Sequence, residues 1–184
     1  MKLVILDRDG VNNHDSDAFI KTPDEWKPIP GSLEAIARLT QAGYRVVVAT
    51  NQAGIGWGLL DMAALNAIND KMWKAANQAG GRIDAMFFCP HTNADKCDCR
   101  KPATGMFKEI SQRFGLELND VPAIGDSMRD LQAAAAVGAM ADAVVVGSAF
   151  VRLVENNSAS PDLEAKLEAL ARELKQGALS AKKQ

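Results

Sequence analysis

Carboxylates, a threonine and two cations recur just past the ends of short apolar runs. Asp7 and Asp9 follow Leu3-Val4-Ile5-Leu6, Thr50 and Asn51 follow Arg45–Ala49, Arg100 and Lys101 lie beyond Ile83–Phe88, and Asp126 with Asp130 follows Val121–Ile124. Carboxylates gathered from separate strands suit Mg²⁺, a hard cation that takes a few carboxylates and keeps waters and substrate phosphate oxygens as its other ligands. The Thr50 hydroxyl and the Lys101 ammonium can then hold phosphate. A second constellation uses every cysteine of the chain: Cys89-Pro90-His91, five residues, then Cys97-Asp98-Cys99. Three thiols and an imidazole make a closed tetrahedral set for Zn²⁺, and a closed set leaves no position for reactive water, so the expected zinc is structural. Its loop runs straight into Arg100-Lys101-Pro102, so the metal would fix the cations of the phosphate site.

The runs that position these groups read as buried parallel strands, short and β-favouring and ended by charge or glycine. Between the first two, Pro30-Gly31-Ser32 offers a helix start, and Leu33, Ile36, Ala37 and Leu39 keep helical spacing until Gly43. Asp61 caps a second helix carrying Leu65, Ile68 and Met72, and a third strand spans Ile83–Phe88. A helix from Met106 to Phe114, a strand over Val121–Ile124, an alanine-rich helix over about 129–137 and a fifth strand at Ala143–Val146 complete the alternation. Ser160-Pro161 opens a last helix with Leu163, Leu167, Leu170 and Leu174 on one stripe and Gly177 as its stop. The fold class is therefore α/β: a three-layer, Rossmann-like open parallel sheet with helices on both faces and a small zinc-binding loop, in one domain over 1–184. Such sheets bind ligands outside the carboxyl ends of their strands, where the polar groups lie.

Composition narrows the function classes. The 184 residues are 47% hydrophobic and 24% charged with a net charge of −2, which excludes a disordered chain and gives no basic excess to attract nucleic acid or anionic lipid. Asp7, Arg8 and Asp9 cut the first apolar run far short of a signal sequence or membrane span. Three cysteines, an odd number, argue against a disulfide framework. A cytoplasmic monomer acting on a small molecule, with no nucleic acid or membrane partner, is the expectation.

Asp7-Arg8-Asp9-Gly10, Thr50-Asn51-Gln52, Lys101-Pro102 and Gly125-Asp126-Ser127 with Asp130 resemble, in order and strand placement, the four motifs of haloacid-dehalogenase-type phosphatases. The resemblance covers residues 1 to about 138. It implies that Asp7 is the nucleophile that forms an aspartyl-phosphate and that Asp9 is the general acid and base. It also implies Mg²⁺ on Asp7, Asp126 and the backbone carbonyl of Asp9, with Asp130 as a supporting carboxylate. Cys-Pro-His followed by Cys-x-Cys-Arg-Lys-Pro narrows the likeness to the group of heptose bisphosphate phosphatases and histidinol-phosphate phosphatases. Asp15-Ser16-Asp17, Trp26, Pro28, Pro30-Gly31-Ser32 and Thr50–Ile55 favour the heptose branch, and a phosphorylated sugar as the substrate. There the loops and Arg100 line the mouth and bind the sugar and its distal phosphate, with Asn51 and Gln52 as neighbouring candidates.

Two positions depart from that pattern. Asn12 stands where the family has an apolar residue, and Gly56-Trp57-Gly58 stands where it has Ala-Arg-Gly, so an indole replaces a cation able to grip phosphate bidentately. Packing is the expected role of Trp57 and of Trp73, and His14 is read as a solvated loop residue. Histidinol-phosphate hydrolysis and an inactive recombined scaffold are the alternatives. The second arises because Ala141–Val151 resembles the end of the tryptophan synthase α-subunit barrel, which would make 141–184 a grafted segment. The Gly147-Ser148 turn would then be a candidate anion site, although completion of the sheet is the favoured role of that segment.

Overall fold

The computed structural model describes residues 1–139 and the single positions 162, 166 and 169. Four strands, β1 (Lys2–Leu6), β2 (Tyr44–Asn51), β3 (Ala85–Cys89) and β4 (Ala123–Ile124), form a parallel sheet in the order β3-β2-β1-β4. Helices α1 (Ser32–Gln41), α2 (Ala53–Gly56), α3 (Met62–Gln78), α4 (Gly105–Phe114) and α5 (Met128–Ala135) lie between and after them. Register runs from Lys2 opposite Tyr44 to Leu6 opposite Val48 on one side of β1, with Ile5 and Leu6 opposite Ala123 and Ile124 on the other.

Because side chains alternate across a strand, β1 feeds two cores. Leu3 and Ile5 join Val47, Ala49, Phe107, Ile110 and Ala133 on the face covered by α4 and α5. Val4 and Leu6 join Val46, Val48, Ile36, Leu65, Ile68 and Met72 on the face covered by α1 and α3. Helices thus cover both faces. The chain leaves β1 for β2 on one side and returns to β4 on the other, which opens the crevice where such sheets hold ligands.

Boundaries differ from the sequence expectation where polar groups intervene. β3 starts at Ala85, because Asp84 uses its own backbone N–H and its carboxylate on the backbone of Val46 at 2.7 and 3.0 Å, while Arg82 and Arg45 pair with it. β4 is two residues long: Pro122 has no N–H for the ladder, although its carbonyl accepts from Ile5 at 2.9 Å. α3 begins as expected, with Asp61 accepting from the Ala64 N–H at 2.8 Å. α5 spans 128–135, not 129–137. The expected fifth strand, the Gly147-Ser148 turn and most of the last helix fall outside the described residues, although the Lys166 N–H donates to the Asp162 carbonyl at 3.0 Å, one helical turn. No described helix is long and apolar enough to cross a membrane.

Candidate active site

Asp7 sits one residue past β1, where its N–H donates to the Ile124 carbonyl at 2.8 Å and so ties the loop to β4. Its Oδ1 accepts from the Arg8 N–H at 2.7 Å and pairs with Lys101 Nζ at 3.0 Å. Burial pushes the Asp7 carboxyl up to about pKa 7; the Lys101 ammonium opposes this and the Asp130 and Asp9 carboxylates add to it. Lys101 is itself only 3% exposed. Its Nζ donates to the Ala49 carbonyl at 2.7 Å and pairs with Asp130 at 2.5 Å. Burial works against that ammonium, yet the two carboxylates hold its pKa above the ordinary lysine value.

Asn51 holds the same lysine by its backbone. Its Nδ2 donates to the Lys101 carbonyl at 3.1 Å and its Oδ1 accepts from the Lys101 N–H at 3.0 Å, clamping the end of β2 to a loop fifty residues away. Both ends of the amide are therefore engaged by the protein. Thr50, buried at the end of β2, accepts from Gln52 Nε2 at 3.0 Å.

Four donors surround the Asp9 carboxylate. Arg8 approaches through Nε and Nη2, each at 3.0 Å, Asn13 through Nδ2 at 2.8 Å and Gln52 through Nε2 at 2.8 Å. Arg8 Nη2 also donates to Gln52 Oε1 at 3.0 Å. The network fixes where the Asp9 side chain stands. Arg8 and Asn13 carry it although nothing in a local reading of the sequence distinguishes them; only their place beside Asp9 in the loop could have drawn attention.

Carboxylate oxygens of Asp7, Asp126 and Asp130 lie within 4.8 Å of one another. Asp130 is occupied otherwise: Oδ2 accepts from the Ser127 N–H and hydroxyl at 3.1 and 2.5 Å, capping α5, and Oδ1 faces Lys101. Asp7 and Asp126 are thus the carboxylates suited to a divalent cation, and their hard oxygen set fits Mg²⁺. Gly10, at φ +79°, is required here, because a Cβ at that position would overlap the Asp126 carboxylate. Asn12 stands behind: buried, it donates Nδ2 to the Asp7 carbonyl at 2.8 Å and accepts at its own carbonyl from Ser32 Oγ at 2.8 Å. The Asn12 side chain thus fixes the Asp7 backbone within the loop, while its backbone carbonyl, which any residue would offer, ties that loop to the start of α1.

The second cluster assembles as its spacing suggests. Sulfurs of Cys89, Cys97 and Cys99 lie 2.9–3.5 Å apart, and His91 Nδ1 is 3.6 Å from Cys89 and 3.2 Å from Cys99. Tetrahedral Zn–S bonds of about 2.3 Å imply edges of roughly 3.8 Å, so a small expansion of this set admits zinc. The cysteines are all free.

The carboxylates and Lys101 face a cavity of about 360 Å³, with Asp7, Asp9, Thr50 and Lys101 in its walls and Asp15, Asp17, Trp57 and Arg100 also lining it. Arg100 is held by Asn93 Oδ1 at 2.6 Å and the His91 carbonyl at 3.2 Å. Trp57 departs from the packing role expected of it: 63% exposed, it borders the cavity, whereas Trp73 is 37% exposed. Trp26, expected among the substrate loops, is instead 1% exposed, and its Nε1 donates to Asn13 Oδ1 at 3.1 Å, so it supports the Asp9 network from below. His14 is exposed, as expected.

A family model for haloacid dehalogenase-like hydrolases matches residues 1–138. A D-glycero-beta-D-manno-heptose-1,7-bisphosphate 7-phosphatase of Bordetella bronchiseptica is 62% identical over 138 residues, 75% of this chain and 77% of the relative. One of the same name from Pseudomonas putida is 45% identical over 174 residues, 95% of this chain and 99% of the relative. That alignment runs into the segment read as a graft, and the likeness to tryptophan synthase gains no support from it. The crystal structure of the B. bronchiseptica D,D-heptose 1,7-bisphosphate phosphatase, complexed with magnesium and phosphate, superposes with a TM-score of 0.74 and covers 76% of this chain and 78% of that one.

Proposed function

We propose that this chain, which belongs to the haloacid dehalogenase-like hydrolases, removes the 7-phosphate of D-glycero-D-manno-heptose 1,7-bisphosphate through an aspartyl-phosphate. The observation that carries the chemistry is the partly buried Asp7 carboxylate, 3.0 Å from Lys101 and within 4.8 Å of Asp126. The substrate follows from the relatives, which are named for that activity.

Asp7 attacks phosphorus, and the ester bond to the sugar oxygen breaks as the new O–P bond forms. Asp9 gives the departing alkoxide a proton, then removes one from the water that attacks the aspartyl-phosphate, releasing inorganic phosphate and restoring the carboxylate. Thr50 and Lys101 hold phosphoryl oxygens. Gln52, with Arg8 and Asn13, keeps Asp9 on the leaving-group side, while Asn51 and Asp130 fix Lys101 from its backbone and its ammonium. Mg²⁺ on Asp7, Asp126 and the Asp9 carbonyl supplies charge compensation to the phosphoryl group. Cys89, His91, Cys97 and Cys99 would hold Zn²⁺, which would cross-link the loop that carries Arg100 and Lys101. Arg100 meets the distal phosphate; histidinol phosphate would instead set an ammonium against it, which disfavours that alternative.

The test compares Mg²⁺-dependent phosphate release from the heptose bisphosphate and from histidinol phosphate, with Asp7→Asn as the blank. Preference for the bisphosphate, with turnover and phosphoenzyme labelling lost in the variant, is expected. A labelled Asp7→Asn protein would place the nucleophile elsewhere, and preference for histidinol phosphate would reverse the substrate assignment.

A further inference from the structure

Six carboxylates and four cations face the cavity. Two of the cations are already neutralised: Arg8 by Asp9, and Lys101 by Asp7 and Asp130. Among the described residues Arg100 is held by neutral groups, the Asn93 side chain and the His91 carbonyl, so its charge is not cancelled by these partners. Arg129 is exposed and has no hydrogen bond or ion pair among the described residues.

Nothing among the described residues accounts for Arg129. It is the second residue of α5, where the helix dipole is positive and a cation is disfavoured. The helix start is already satisfied without it, by the reciprocal bonds of Ser127 and Asp130. Asp15 and Asp17, the remaining exposed carboxylates on the cavity wall, form no ion pair among the described residues, so they do not hold it either. Arg100 follows β3 and Arg129 follows β4, the two outer strands of the described sheet, while Asp7 extends from β1 between them. Two uncancelled cations therefore flank the crevice from opposite edges.

We infer that Arg129 is a specificity-determining residue that, with Arg100, grips the anionic group of the substrate remote from the bond being cleaved. A phosphate monoester is a dianion at neutral pH, and two guanidinium groups match it in charge and in hydrogen-bonding geometry. The scissile phosphoryl group has its own cations, Lys101 and the magnesium of the proposed mechanism, so Arg100 and Arg129 are left over for a second anion. The assignment rests on the bisphosphatase reading above and adds a residue to it.

The experiment measures kcat/KM in Mg²⁺ for the heptose bisphosphate and for a sugar monophosphate without the distal phosphate, in wild type, Arg129→Gln, Arg129→Lys and Arg100→Gln. In Arg129→Gln the bisphosphate-to-monophosphate ratio should fall about 10- to 100-fold, chiefly through KM, as loss of a charge-assisted contact to phosphate predicts. Lysine should recover part of it, and Arg100→Gln should lower the same ratio. A ratio within twofold of wild type in Arg129→Gln overturns the inference and leaves the bisphosphatase reading standing. An equal loss on both substrates also overturns it, since the residue would then act on the scissile phosphate or on folding. A wild-type enzyme without preference for the bisphosphate overturns the functional reading itself, and this inference with it.

Discussion

Replacing Asn51 with alanine separates a structural clamp from a substrate contact. The side chain makes two hydrogen bonds, both to the backbone of Lys101, at 3.1 and 3.0 Å. Each such bond contributes about 1 kcal/mol net, and each buried backbone group left without a partner costs about 1–3 kcal/mol more. Lys101 is 3% exposed, but water admitted from the adjoining cavity to its freed N–H and carbonyl relieves part of the second cost, which leaves a total of about 2–4 kcal/mol. In a chain of 184 residues each kcal/mol moves the melting temperature by about 2–4 °C, giving a fall of roughly 5–15 °C. Thermal unfolding in Mg²⁺ and Zn²⁺, monitored by calorimetry, reads this directly. Because the clamp places the Lys101 ammonium 3.0 Å from Asp7, kcat should fall as well, by more than KM rises. An Asn51→Ala protein that melts within 1–2 °C of wild type, with KM raised and kcat intact, would refute the clamp and make Asn51 a direct substrate ligand.

Two further outcomes follow from the metal sites. Elemental analysis should find about one zinc per chain, and Cys97→Ser or a zinc chelator should lower both the melting temperature and kcat, because the Cys99 end of the cluster leads directly into Arg100 and Lys101; substoichiometric metal in gently purified protein, or loss of zinc without loss of kcat, would contradict this. Without metal, the folded state holds the Asp7 proton more tightly than the unfolded chain does, since burial raises the carboxyl from 3.8 to about 7. The stabilisation is complete below about pH 4 and is lost as pH rises through about 7. Magnesium must displace that proton, so its apparent affinity, read by titration calorimetry, should rise by up to about tenfold per pH unit from pH 5.5 and level off above about 7. Affinity independent of pH across that window would show that Asp7 is not a ligand.

Much of the site could be read along the chain, for a definite reason. Strands, caps and the candidate zinc cluster are specified by neighbours in sequence: Asp61 before α3, Ser127 three residues before Asp130, and three thiols with a histidine inside eleven residues between Cys89 and Cys99. Polar strand ends in a parallel sheet open on one edge, so Asp7, Thr50 and Asp126, with Lys101 from the loop beyond β3, were expected together from their order, and the resemblance to a family supplied the roles expected of them. One boundary moved where a local pattern met a tertiary demand: Asp84 turned its carboxylate onto Val46, and β3 starts at Ala85.

Pairings across the fold were another matter, because periodicity carries no information about which strand lies beside which. The order β3-β2-β1-β4 decides that Lys101 meets both Asp7 and Asp130, and that the Asn51 amide meets the Lys101 backbone. The same packing turned Trp26 from an expected mouth residue into a buried support for Asn13, and left Trp57 in the open. It also settled which cations are cancelled and which are not. Arg8 and Arg129 are both plain arginines in the sequence. Only folding drives the first into Asp9 and Gln52 and leaves the second facing the cavity without a partner among the described residues, because charge compensation depends on distances that the linear chain does not contain.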